Sequence, residues 1–430
     1  MTPTPALGSA SRPPAWLLAA PVLLVVLAAV LTPAVEFDRH QGDVGLYLRK
    51  AMAVVAGQVP YRDFPLEYPP LALLPMTVPY LLWPFGPVDV EMYRYLFAGW
   101  QAALLVALMV AVGRVVALGG DRQPSGPPDV GLVPVDRVRG GASRLMILAA
   151  GAALVIAWRY DLFPALLATV AIWAVLAQRP TLAGVALGLG VLAKLYPIAL
   201  APALAAAWLV PLDTGRITRY GTALAVTIAL GLLPFLLLAG GAATQFLGYQ
   251  AVRGLQAESI GGGLVLLAGV VAGRPAELTF EFSAVHVAGP LAGGIVAGLS
   301  VLAVAGFALL GWLGWRRLRW DVEAFGSVAA GTVVLLAWAS LLMLLVTSKV
   351  FSIQYVVWLV PLAALLTGAR FAVAAVAVAL TMPIHPFFYA DLVSQQPLAI
   401  ALLNARNLLV LGLLAWALAD LRRAPAGARA

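Results

Sequence analysis

The stretch YRYLFAGWQAALLVALMVAV, residues 93–112, decides the fold. It is apolar over nearly all of its twenty positions, the length a helix needs to cross about 30 Å of hydrocarbon at about 1.5 Å per residue. Directly after it, residues 113–144 carry Arg114, Arg122, Arg137, Arg139 and Arg144 among Pro, Gly and Asp residues, the composition of a flexible connector. A basic loop beside an apolar run marks the cytoplasmic side of a membrane.

The same alternation extends in both directions. Apolar runs cover residues 16–35, 145–158, 162–177, 182–193, 195–210, 220–239, 285–314, 325–346, 353–366, 371–388 and 398–418. The first is read as a retained span, since no small-residue cleavage site follows it. Residues 71–85 are broken by proline and are expected to dip into the surface without crossing, because a crossing there would put the five-arginine loop outside. The expectation is an all-α polytopic membrane protein, one transmembrane domain over residues 1–430, with about twelve helices and both termini cytoplasmic. Residues 36–70 and 240–284 become long outer loops, and 113–144 a cytoplasmic loop.

Composition agrees. Of 430 residues, 62% are hydrophobic and 11% charged, against about 25% charged in a soluble domain. The absence of cysteine excludes disulfides and thiolate metal sites. The three histidines, His40, His286 and His385, show no metal-ligand spacing, so no metal is expected. The net charge of +8 follows the positive-inside pattern and accompanies no nucleic-acid-binding motif.

This orientation places Asp38, Asp43, Asp63, Glu67, Arg159, Asp161, Lys194, Arg253, Glu258, Lys349, His385 and Arg406 on the outer side. Ionisable groups near membrane depth are functional candidates unless paired. Outer cations together with outer acids suit an anionic lipid-linked substrate: Arg and Lys hold phosphate oxygens, and a carboxylate takes a proton from an attacking hydroxyl.

Five short segments carry a resemblance. They are Gly42-Asp43-Val44-Gly45-Leu46-Tyr47, then Pro60-Tyr61-Arg62-Asp63-Phe64-Pro65-Leu66-Glu67-Tyr68-Pro69-Pro70, Leu192-Ala193-Lys194-Leu195-Tyr196-Pro197, Arg253-Gly254-Leu255-Gln256-Ala257-Glu258-Ser259 and Tyr355-Val356-Val357-Trp358-Leu359-Val360-Pro361. The first three and the last together resemble the GT-C polyprenyl-phosphate-sugar-dependent glycosyltransferases, with glycosyltransferase family 87 and its mycobacterial phosphatidylinositol-mannoside mannosyltransferases as the nearest group, while the Arg253–Ser259 segment is similar to a motif of actinobacterial members. The resemblance implies transfer of a hexose, mannose above all, from a polyprenyl phosphate to a glycolipid or cell-envelope glycan. The reaction would take place on the extracytoplasmic side of the plasma membrane, with inversion and with no cofactor beyond the donor itself. It implies Asp43 as catalytic acid–base residue, with Asp38 as runner-up, and Lys194, Arg253, Glu258, Arg159, Asp161, Glu67, Tyr47 and His385 as substrate-binding candidates. Membrane lipids, donor and acceptor are the expected partners, and no nucleic acid. Two departures from the family pattern stand out. Gly45 replaces the second acid of an Asp-x-Asp pair, and Gln354-Tyr355 replaces a histidine pair.

Structural readings stand beside these. Asp43 caps an interfacial helix, Arg159 and Asp161 pair with each other, Glu67 closes its loop, and His385 packs between two prolines. Lys194, Lys349 and Arg406 snorkel to headgroups. A secondary transporter or lipid flippase is the rival function, as it also has many spans and buried charge. A non-catalytic scaffold and a lipid-linked oligosaccharide ligase are further alternatives.

Overall fold

The first helix runs far beyond the apolar run that starts it. In the computed structural model, which describes residues 15–120 and 138–424 apart from the side chains at 15–18, 32–42, 119–120 and 138–139, α1 covers Ala15–Val55. The loop expected from residue 36 is therefore irregular only from Ala56 onward, and Asp43 sits within a helix instead of capping one. The physical reason is amphipathic spacing. Val44, Tyr47, Leu48 and Ala51 are buried at helical intervals, so the polar half of α1 continues to pack where apolarity alone has run out. Asp38, by its side chain, and Arg122 and Arg137, entirely, lie outside the described residues.

After α2 (Leu73–Leu81) come α3 (Val90–Gly120), α4 (Val138–Gly151), α5 (Ala153–Trp158), α6 (Leu162–Leu176), α7 (Pro180–Ala193), the short α8 (Ala201–Ala205) and α9 (Thr214–Ala239). With nine residues, α2 is about 14 Å long, too short to cross. The α3 and α4 helices shorten the expected 113–144 connector from both ends.

The expected outer loop at 240–284 is mostly ordered. It contains α10 (Gln245–Val252), β1 (Leu255–Gln256), the apolar α11 (Ile260–Ala272) and β2 (Leu278–Glu281), which turns into β3 (Ala284–Val287). The strands form an antiparallel sheet in the order β1-β3-β2, a small β element in an otherwise helical chain. The apolar run expected over 285–314 thus begins as a strand, and Gly289-Pro290 starts the helix. The chain closes with α12 (Pro290–Phe325), α13 (Ala330–Thr347), α14 (Val356–Ala363), α15 (Gly368–Ala379), α16 (Tyr389–Val393) and α17 (Pro397–Arg422).

This is a multi-pass membrane protein. Among the described residues, six helices are long and apolar enough to cross a bilayer: Val90–Leu118, Thr214–Val252, Pro290–Phe325, Ala330–Thr347, Gly368–Phe387 and Pro397–Arg422. Shorter apolar helices, such as Leu162–Leu176 and Pro180–Ala193, accompany them. The core lies between α3, α4, α5, α6, α13 and α14, where Leu105, Leu145, Trp158, Ile172, Leu342 and Val357 are buried. By contrast, α9 and α12 leave Leu230, Leu237, Val301 and Val304 exposed, an apolar surface suited to lipid. Small residues bring α7 and α9 together. A Cβ on Gly184 would lie 2.3 Å from the Tyr220 carbonyl oxygen, and one on Gly188 2.8 Å from Thr227.

Candidate active site

Two interruptions in the helical bundle set the site. Between α5 and α6, Arg159 is extended at φ −124°, ψ 139°. After α7, Lys194 is extended at φ −161°, ψ 142°. Pro197 explains the second break, because a proline ring clashes with the carbonyl four residues back, here that of Ala193. Each break turns a cation out of its helix towards a common cavity of about 1110 Å³.

Residues distant in sequence meet there. Asp43 and Arg49 from α1, Glu67 and Tyr68 from the first loop, Arg159, Lys194, Arg253 after α10, Glu258 before α11, and Tyr355 and Trp358 all line the cavity. Gln256, Ser352, Phe282 of the hairpin turn and His385 also contribute. Of the candidates named from sequence, Asp43, Glu67, Arg159, Lys194, Arg253, Glu258 and His385 are brought together. Tyr47 and Asp161 lie behind the wall. Tyr47 is packed edge-on to Tyr160 at 5.7 Å and against Phe97 at 5.5 Å.

The charges are arranged in pairs. Arg159 Nη1 forms an ion pair with Asp43 Oδ2, not with Asp161. Lys194 Nζ donates to Asp161 Oδ1 at 2.6 Å, and Trp358 Nε1 donates to the same oxygen at 2.6 Å. Around the ammonium stand the rings of Tyr160, Trp358, Tyr355 and Tyr68, with centroids 4.9, 5.4, 5.5 and 5.9 Å away. Lys194 thus sits in an aromatic cage and does not snorkel. Trp358 is sandwiched between Tyr196 at 4.0 Å and Tyr355 at 3.9 Å. Both of its faces are covered, so it stiffens the wall and offers no platform to a ligand. Glu67 pairs with Lys50 at 3.0 Å, and Lys50 also donates to the Pro65 carbonyl at 2.7 Å. That pair closes the first loop.

Arg253 is held differently. Its guanidinium lies 5.8 Å from the Tyr249 ring and its Nε has no hydrogen-bond partner among the described residues. Asp63, away from the cavity, is held down at about 2 by hydrogen bonds from Arg62 and the Val59 amide. Arg406, expected at a headgroup, is fully buried on α17 instead, 4.1 Å from the Phe351 ring. Lys349 donates to the Ala251 carbonyl at 2.7 Å. His385 is buried and edge-on to Tyr389 at 5.0 Å.

Several wall residues escaped the sequence reading: Arg49, Tyr68, Gln256, Tyr355 and Trp358. The signal for Arg49 is helical spacing, since Asp43, Leu46 and Arg49 share one face once α1 is continuous. The others lie inside segments already singled out and become site residues only through tertiary packing. Among the described residues, no group of three or more His, Asp or Glu side chains could hold a metal ion.

No family profile matches the chain, and no curated protein matches it. Among solved structures, the crystal structure of ArnT from Cupriavidus metallidurans in the apo state is similar, with a TM-score of 0.47 and 13% identity. The alignment covers 96% of this chain and 77% of that one.

Proposed function

We propose that this chain is a membrane glycosyltransferase of the GT-C kind. It would move a hexose, mannose by the family 87 resemblance, from a polyprenyl phosphate to an extracytoplasmic glycolipid or cell-envelope glycan. The observation that carries the reading is the cavity itself. A membrane-embedded chain gathers Arg49, Arg159, Lys194 and Arg253 with the carboxylates of Asp43 and Glu258 around one space. Cations and a general base in one cavity suit a phosphate leaving group and a hydroxyl nucleophile.

The proposed chemistry is a single displacement. The acceptor hydroxyl gives its proton to Asp43 as its oxygen attacks the anomeric carbon from the face opposite the phosphate. The C1–O(phosphate) bond breaks, and the electron pair leaves with polyprenyl phosphate. Arg159, now paired with Asp43, is the switch in this scheme. A phosphate that draws the guanidinium to itself by bidentate hydrogen bonds frees the carboxylate to act as base. Lys194, with one proton committed to Asp161, has two donors left for a phosphate oxygen. The reaction so written uses no cofactor.

The test is transfer of radiolabel from polyprenyl-phosphate mannose in membranes containing the chain, wild type against Asp43→Asn. Asparagine keeps the shape and removes the base, so transfer should fall by roughly a hundredfold or more. Undiminished transfer by the variant would remove Asp43 from the chemistry. No transfer by wild type from mannose or any other polyprenyl-phosphate hexose would remove the function.

A further inference from the structure

The carboxylates of the cavity differ in what holds them. Asp43 is paired with Arg159, and Glu67 with Lys50. Glu258 is only 4% exposed, yet no cation lies within ion-pair distance of it among the described residues, and its Oε2 has no hydrogen-bond partner there. Leaving a buried carboxylate oxygen unmatched is unfavourable, and native proteins seldom do so without a use for it. Burial pushes the carboxyl up to about 7 despite the opposing influence of a hydrogen bond from its own backbone amide, the charges on Arg406 and Arg253, and a hydrogen bond from the Gln256 side chain, so that Oε2 is the oxygen left without a partner.

The position of this side chain is nevertheless tightly controlled. Arg406 Nη2 donates to the Glu258 carbonyl, and Asn407 Nδ2 donates to the Ser259 carbonyl at 3.2 Å. Ser259 Oγ donates to the Gln256 carbonyl at 2.7 Å and accepts from the Gly262 amide at 3.0 Å, capping α11. Gln256 exchanges hydrogen bonds with Ser352 across the wall. Buried polar groups of α17 thus clamp the turn that presents Glu258 to the cavity.

What would satisfy Oε2 is a hydrogen-bond donor. In its ionised form the carboxylate repels a phosphate, and a cationic ligand would meet Arg253, Arg159 and Lys194 in the same space. An uncharged hydroxyl is the chemistry that remains. We infer that Glu258 is a specificity-determining residue for sugar: its Oε2 accepts a hydrogen bond from a hydroxyl of the bound hexose, while the cations of the cavity hold the phosphate. The inference rests on the lipid-phosphate-sugar reading above. The hydroxyl belongs either to the donor's hexose or to the acceptor's, and binding measurements separate the two.

The experiment measures dissociation constants of the purified full-length chain in detergent for farnesyl phosphate, farnesyl-phosphate mannose and octyl mannoside, with wild type, Glu258→Gln and Glu258→Ala. Loss of a hydrogen bond to a charged group corresponds to roughly ten- to a hundredfold in affinity. Glu258→Ala should weaken farnesyl-phosphate mannose by that factor and leave farnesyl phosphate unchanged, which also shows that the variant is folded. If the hydroxyl is the acceptor's, the loss falls on octyl mannoside instead. Glu258→Gln, whose amide oxygen still accepts, should lose less. Should Glu258→Ala lose farnesyl phosphate as well, Glu258→Met, which keeps the bulk of the side chain and removes both oxygens, decides by the same criterion. Unchanged affinity for both sugar ligands in a variant that still binds farnesyl phosphate would overturn the inference. Failure of wild type to bind either prenyl ligand would instead overturn the functional reading, and the inference with it.

Discussion

At the scale of single residues, the site is a set of buried charges whose value depends on their partners. Lys194 lines the cavity and Asp161 lies behind it, the two joined at 2.6 Å, with Trp358 completing the Asp161 contact. Removing one member of a buried pair leaves an uncompensated charge and costs about 3–5 kcal/mol, whereas removing both is often close to neutral. Lys194→Met should therefore lower thermal stability in detergent markedly, and Asp161→Asn combined with Lys194→Met should restore most of it. A double variant no more stable than the single one would show that the pair is not coupled in this way. Here the sequence was informative in identity and silent on pairing. Lys194 and Asp161 both stood out as charges beside apolar runs, but the natural reading joined Asp161 to its neighbour Arg159. In the fold Arg159 reaches back to Asp43 on α1. Nothing in the spacing of these residues states which acid answers which cation, because the partners lie on different helices.

At the scale of elements, the turn before α11 shows how backbone geometry places a side chain. A Cβ on Gly262 would lie 2.1 Å from the Gln256 carbonyl oxygen, and one on Gly263 2.9 Å from Asn407 Nδ2. Gly262→Ala must shift the Gln256–Glu258 segment, and misplacement by about 1 Å at a reacting site can cost about a hundredfold. Transfer activity should fall at least tenfold on that basis, while membrane insertion, followed by fractionation, is retained. Full activity would mean that the turn does not position the site. The elements were unevenly legible. The long apolar runs that became α3, α13 and α17 needed only length and hydropathy to be seen. The continuation of α1 through its polar half was hidden, because the burial of Tyr47 and Leu48 comes from packing on other helices. The β1-β3-β2 sheet was hidden for a similar reason. Its strands are short, and one of them, Leu255–Gln256 alone, exists only through pairing with β3 residues about thirty positions away.

At the scale of the whole molecule, one cavity collects charged side chains in a largely apolar bundle, and the proposed function requires it to open away from the cytoplasm. The α12 helix fixes the geometry of a test. Its 36 residues span about 54 Å, well over the roughly 30 Å of hydrocarbon. The hairpin before α12 and the turn after it therefore fall on opposite sides if it crosses. Ser283 in the hairpin and Ser327 after α12 are both exposed, and the chain has no cysteine to interfere. A membrane-impermeant maleimide should label Ser283→Cys in intact cells and Ser327→Cys only after permeabilisation. The opposite pattern would invert the proposed orientation.

The most direct test of the central claim, that this cavity binds a lipid-linked phosphate, is a cryo-EM structure of the full chain with a bound polyprenyl phosphate. The account predicts phosphate density within hydrogen-bonding distance of Arg253 and Arg159, with Arg159 drawn away from Asp43 and the prenyl chain leaving the cavity towards the bilayer. Phosphate density elsewhere on the protein, with the cavity residues unmoved, would contradict it.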